Sequence, residues 1–215
     1  VDRPWALKSY RGKLYLGVTC TGENGGTVTD LTSFVYSYDG TACTLELEVP
    51  LDYNRWYAIN IPPGQLRPSI PWVDLFSSLA TIPNGGVTQV DNAQLLLTDI
   101  EFDVDGSMII GYVDRTGLQL GNNNYTTDTN NFGLVGCFSN GDILRAYYNG
   151  SSYVLESNGV VGGLTGLGSN ANYNWPYSGP DGGEFYAQEM WGLPLGGHTE
   201  TSYGGLALLP GKQEV

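Results

Sequence analysis

Apolar and polar residues alternate along much of this chain with a period of two, the pattern of strands that bury one face. The clearest stretches come in pairs. Trp5-Ala-Leu-Lys-Ser-Tyr10 and Lys13-Leu-Tyr-Leu-Gly-Val-Thr19 flank Gly12 and predict a hairpin. Residues 33–38 and 43–49 flank Asp39-Gly40, a dipeptide that tolerates the positive φ of tight hairpin turns. The pattern then returns. Residues 97–103 and 108–113 surround Asp105-Gly106, and residues 142–148 and 152–156 surround Asn149-Gly150. A third start, residues 203–209, precedes Pro210-Gly211. Helical periodicity is almost absent: Gly or Pro interrupts every long window, and residues 91–97 are too short a candidate to count.

Trp5 and Ile100 are 95 positions apart, and Ile100 and Leu206 are 106 apart, so one frame recurs at roughly constant spacing. Its units are residues 1–50, 97–157 and 203–215, in a single all-β repeat region. The joining segments 51–96 and 158–202 carry no clean alternation and predict long loops, which in compact domains are usually functional. Four-stranded up-and-down units repeated at this scale are the signature of β-propeller blades, which cover their faces by stacking on neighbours. The expected fold is all-β with propeller-like blades; the alternative is a tandem β-sandwich. A propeller needs roughly four or more blades to close. The expectation is therefore an open arc, a fragment of a longer chain.

Composition agrees with a turn-rich β-protein: Gly is 31 of 215 residues, and Tyr (15) and Trp (5) are abundant. The net charge of −13 has the wrong sign for neutralising phosphates, which argues against nucleic acid and against an anionic lipid surface as partners. No apolar run reaches the length of a transmembrane segment. One histidine, His198, and three cysteines leave no ligand set for a zinc site, and no cofactor or metal is expected. Cys20 and Cys43 flank what read as neighbouring strands and are a candidate disulfide; the alternative is that all three cysteines are small buried residues.

Several strings carry a resemblance: Arg3-Pro-Trp-Ala-Leu7, Gly12-Lys-Leu-Tyr-Leu-Gly17, Pro50-Leu-Asp-Tyr53, Leu97-Thr-Asp-Ile-Glu-Phe-Asp-Val-Asp-Gly-Ser107, Asp114-Arg115, Gly141-Asp-Ile-Leu-Arg145, Gly182-Gly-Glu-Phe-Tyr186 and His198-Thr-Glu200. Together they resemble a family of large bacterial cell-surface proteins with a propeller-like region followed by β-sandwich repeats of the collagen-binder B type. The resemblance implies an exported, surface-exposed repeat region and carries over no catalytic residues. The sandwich repeats are not in this chain.

Candidate chemistry is sparse. Glu101-Phe-Asp-Val-Asp105-Gly106 opens like a calcium loop, but Tyr112 stands where the closing Glu belongs, which leaves Asp105-Gly106 as a hairpin turn. Asp99 belongs to the same structural group, and Asp114-Arg115 reads as an ion pair locking unit to unit. Glu101, Asp103, Glu184 and Glu200 supply carboxylates for a glycoside hydrolase pair, the alternative function. His198 has no nucleophile elbow to work with. Trp56, Trp72, Trp175 and Trp191 fall in or near the loop-rich connections, where they would stack on sugars, dock a partner or cover strand edges. Asn124-Tyr-Thr126 and Asn149-Gly-Ser151 are formal N-glycosylation sequons. The resulting expectation is an extracellular structural or adhesion module whose partners are flanking domains, other chains or a glycan.

Overall fold

The computed structural model describes residues 1–55, 67–79, 81–84, 86–90, 92–126, 130, 133–167, 179–186, 202–212 and 214–215. Its first sheet follows directly from the alternation. Strands β1 (Asp2–Tyr10), β2 (Lys13–Cys20), β3 (Thr32–Tyr38) and β4 (Cys43–Pro50) form an antiparallel meander in chain order. Arg11 and Gly12, both at positive φ, close its first hairpin. Asp39 closes the second by accepting hydrogen bonds from the amides of Thr41 (2.8 Å) and Ala42 (2.9 Å). Ala6, Tyr15, Val35, Leu47 and Val49 point into the core, whereas Trp5, Leu7, Leu14, Leu16 and Leu45 on the other face are exposed.

Next come the short strands β5 (Asn54–Arg55), β6 (Arg67–Pro68), β7 (Thr81–Asn84) and β8 (Val87–Val90), then β9 (Leu95–Phe102) and β10 (Met108–Asp114). A six-residue helix, α1 (Arg115–Leu120), leads to β11 (Asn124–Tyr125) and β12 (Leu134–Cys137). The described chain continues through β13 (Asp142–Tyr148), β14 (Tyr153–Leu155), β15 (Val160–Val161) and β16 (Leu164–Thr165). β9, β10, β13 and β14 form a second four-stranded antiparallel meander. A further sheet has the order β11-β12-β8-β7, with β12 parallel to β8.

The two meanders pack face to face. Ala6, Tyr15, Val35, Leu47 and Val49 meet Leu97, Ile100, Met108, Ile110, Leu144 and Ala146 in one hydrophobic cluster. The sheets approach most closely where side chains are smallest: a Cβ on Gly17 would lie 2.3 Å from Leu97 Cδ2 and 2.9 Å from Ala6 Cβ. Thr19 Oγ1 accepts the Leu97 amide across this junction at 3.0 Å, and Lys8 pairs with Glu101. At the hairpin end the gap is filled by aromatic rings, with Tyr10 stacked on Phe102 at 4.0 Å and Tyr15 tilted onto it at 4.7 Å. At the opposite end Ser33 and Tyr112 share a buried hydrogen bond.

The second meander is covered on its other face as well. Ile109, Val161, Phe185 and Tyr186 cluster there with Leu206 and Leu208. Gly111 lets residues 202–209 lie close, since a Cβ there would sit 2.6 Å from the Gly204 carbonyl oxygen. Asp99 accepts the Leu206 amide at 2.9 Å, and Thr98 Oγ1 donates to Gly204 O at 3.1 Å. All seven residues of β10 are buried as a result.

The all-β, antiparallel expectation holds, and both four-stranded units form with the expected hairpins. Because the two sheets share one core, they are not the cores of two tandem sandwiches. Among the described residues no sheet closes on itself. Segments 51–96 and 158–202 are not bare loops, since they contain β5 to β8 and β15 to β16. Among the described residues of 203–215 there is no paired strand; an isolated bridge joins Tyr203 to Val113. The Cys20–Cys43 disulfide is also corrected. β3 separates the two strands, and Cys20 lies opposite Thr32 while Cys43 lies opposite Tyr38. That places them at opposite ends of a seven-residue strand, about 20 Å apart and far beyond disulfide reach. All three cysteines are free thiols.

Gly17→Val is expected to force the sheets apart and cost about 1–3 kcal/mol, read as a lowered urea midpoint. Gly111→Ala should instead loosen residues 202–209 from the second sheet, which limited proteolysis would detect as new cleavage in that segment at unchanged β content by circular dichroism.

Candidate functional site

Arg55 and Arg145 are fully buried, which is costly unless each is paired. Arg55, on β5, enters the polar end of the core. Its guanidinium contacts Asp142, lies 3.5 Å from Glu184 and donates to the Gly141 carbonyl at 2.5 Å. The Tyr53 hydroxyl also donates to Asp142, because burial, reinforced by that carboxylate, holds the phenol well above its ordinary pKa. Even-numbered residues of β13 face the first sheet, which is why Asp142 joins Leu144 and Ala146 on the core side.

Arg145 projects from the opposite face of β13. Its Nη2 donates to Asp103 at 2.9 Å and Asp105 at 3.1 Å, Nη1 donates to the Tyr186 hydroxyl at 3.2 Å, and the guanidinium lies 5.4 Å from the Phe185 ring centre. Burial alone would raise the Asp103 carboxyl. The amides of Gly211 (3.0 Å) and Val104 (2.6 Å), with Arg145, outweigh it and hold Asp103 below the usual range. Glu156, just past β14, accepts the Arg145 amide at 2.7 Å on one oxygen and the Phe185 amide on the other. Burial pushes its carboxyl up to about 8 despite those two bonds.

Asp114 forms no ion pair with Arg115. It caps α1, accepting from Thr116 N and Gln94 N at 2.9 Å each and from Asn140 N at 3.3 Å, and burial raises its pKa. Arg115 turns away to Val73 O (3.0 Å) and Gln94 Oε1 (2.9 Å). It also sits 4.8 Å from the Trp72 ring centre, while Arg3 lies 5.6 Å from it. Trp72 Nε1 donates to Leu95 O at 3.2 Å, so this tryptophan pins residues 67–79 to β9. Trp56, Trp175, Trp191, His198 and Glu200 lie outside the described residues.

The remaining predicted residues are also engaged. Glu101 pairs with Lys8, Glu184 with Arg55, and Asp105 accepts the Ser107 amide at 2.8 Å while Gly106 takes a positive φ in the turn. Arg55, Asp142, Arg145 and Glu156 were not predicted. Arg145 carried a signal, as the one charge within the run 143–148. Arg55 carried none, since its partners are distant in sequence.

Beside these clusters a cleft of about 710 Å³ opens between the ends of β4 and β14, lined among others by Asp52, Tyr53, Asn54, Glu156, Ser157 and Asp181. Its wall is backbone-bonded, with Gly179 N on Asn54 O at 2.9 Å and Asn158 N on Pro180 O at 2.8 Å. Asp181 accepts the Ser157 hydroxyl at 2.8 Å, and both oxygens of Glu156 are taken by amides. Among the described residues no group of His, Cys, Asp or Glu is placed to hold a metal ion. No helix there is long and apolar enough to cross a membrane.

No family model matches the chain, and no solved structure matches it. It is 28% identical over 218 aligned residues to Colossin-B of Dictyostelium discoideum, covering 96% of this chain and 5% of that protein. It is 25% identical over 186 residues to Colossin-C of the same organism, covering 86% of this chain and 16% of that protein. The chain thus spans a small part of each relative's length. Neither similarity bears on the expected likeness to bacterial surface proteins.

Arg55→Leu is expected to strand the buried Asp142 and cost about 3–5 kcal/mol in denaturant unfolding. For Glu156 the folded pKa, about 8, lies above the ordinary 4.5. The stability this contributes is complete below about 4.5 and is lost as pH rises towards 8. Thermal melts should show a fall in Tm across that window that is smaller in Glu156→Gln.

Proposed function

We propose that this chain is a structural and adhesive module of an extracellular or cell-surface protein, built from propeller-type blades stacked face to face. The observation that carries the reading is a repeated packing device. Gly17 and Gly111 each stand five positions after a turn glycine, and each brings its sheet close to the next unit, Leu97 in one case and Gly204 in the other. Units that cover one another by the same contact form a stack rather than a lone sandwich. The acidic, lysine-poor composition suits an exported protein that must stay soluble, as does the resemblance to surface proteins. Partners would be flanking domains, other chains or a glycan. Within the two connecting segments residues 68–73 and 182–186 are buried or half-buried, whereas residues 162–165 are exposed, so partner contact would fall to such exposed stretches and to the exposed sheet face.

Glycoside hydrolysis needs two carboxyl groups flanking a substrate, one of them free to give a proton. Glu101, Asp103 and Glu184 are instead held by Lys8, Arg145 and Arg55.

Antibody raised against the chain should label unpermeabilised cells that make it, and staining only after permeabilisation would overturn the surface reading. A panel of nitrophenyl glycosides should remain uncleaved. Turnover lost in Glu184→Gln would replace the module by a hydrolase.

A further inference from the structure

The two sheets differ in one respect that their sequences do not. Leu14-Tyr-Leu-Gly17 and Met108-Ile-Ile-Gly111 begin two residues after turn glycines Gly12 and Gly106, so the strands are equivalent residue by residue. In the second sheet Met108 and Ile110 are fully buried against the first sheet. Their equivalents Leu14 and Leu16 are 47% and 37% exposed. They continue across the sheet as rows of apolar cross-strand partners. One row runs Leu7, Leu16, Tyr36, Leu45, and its neighbour pairs Val18 with Phe34. An apolar face this broad is unusual on a soluble surface and marks an interaction site.

The packing rule within the chain names what fits there. The first two units each offer a glycine-bearing face to the unit that follows, and the second offers its large apolar row to the unit that precedes. The last unit obeys the same alternation. Residues 202, 204, 206 and 208 turn towards β9 and β10, whereas Tyr203, Gly205, Ala207 and Leu209 turn outward, with Tyr203 71% exposed. A Cβ on Gly205 would meet nothing within 4 Å, so this outer row is slim and open. We infer that the outer face of the first sheet docks a second copy of this chain, head to tail, with residues 203–209 of one copy lying across the Leu7–Leu16–Tyr36–Leu45 row of the other. The contact continues an interface the chain already makes twice. It deepens the reading of the chain as a stacking module and rests on it. Since the two surfaces differ, the association does not stop at a symmetric pair but extends or closes into a ring.

Sedimentation velocity of the 215-residue chain from about 1 to about 100 µM, the range of modest interfaces, should show growth beyond dimer. Leu16→Glu and Ala207→Glu, each with unchanged circular dichroism, should each remain monomeric alone and form a 1:1 complex when mixed, because each retains the surface the other has lost. A wild-type chain monomeric throughout would overturn the inference. So would an Ala207→Glu variant that still dimerises, which would mean a head-to-head contact, or association untouched by either change. These outcomes are independent of surface labelling and glycoside turnover, so the stacking module and its docking mode fail separately.

Discussion

A strand buried on both faces needs a layer on each side, and β10 sets that requirement for the whole molecule. Met108-Ile-Ile-Gly-Tyr-Val-Asp114 is buried at every position. Full burial of a large apolar side chain contributes about 1.5–3 kcal/mol, so Met108, Ile109, Ile110 and Val113 together weigh heavily in the local energetics. The first meander supplies one layer, and residues 160–165, 185–186 and 202–209 supply the other. Period-two alternation fades in such a strand because neither side is wet, and a continuous apolar run replaces it.

The buried charges fix how the layers sit. Arg55 joins segments at residues 55, 142 and 184, and Arg145 joins residues 103, 105 and 186. Ion pairs this deep contribute little net stability, since desolvation offsets most of the attraction. They do penalise any arrangement that leaves one partner unmatched. In a chain with nine lysines and arginines in all, committing two to the interior favours orientation over surface solubility. Glu156 belongs to the same device: by taking the Arg145 and Phe185 amides it seals the edge of β13 where the ladder to β14 ends.

The hairpins were legible because the information they need is local. Gly12, Asp39-Gly40, Asp105-Gly106 and Asn149-Gly150 each fix a turn, and the flanking alternation fixes which side is buried. The register of the sheets placed Cys20 and Cys43 at opposite ends, which no spacing along the chain reveals. Asp114 read as an ion-pair partner because Arg115 follows it. The chain turns into α1 at that point, and three backbone amides compete for the carboxylate more effectively than a side chain that the turn directs elsewhere. Trp72 read either as a docking platform or as a cover for strand edges, and two arginines and a carbonyl engage it. The parallel pairing of β8 with β12 joins residues 47 positions apart, in segments with weak patterns of their own, and only tertiary packing creates it.

Residues 202–209 show what alternation does and does not specify. The segment has the period of a strand and buries the side that period predicts, yet it forms no ladder. Its polar backbone groups find other partners: Leu206 N bonds to the Asp99 carboxylate, Gly204 O to the Thr98 hydroxyl, and Ser202 O to the Ser139 hydroxyl at 2.8 Å. Side chains of β9 and its neighbours thus stand in for an adjacent strand, which satisfies buried backbone groups as well as a ladder would. The glycine pair at 111 and 204 is the geometric condition for it, since only two residues without Cβ bring this backbone over the face of the sheet rather than beside its edge. Hydrophobic period decides which face is covered, and small residues decide how close the cover lies.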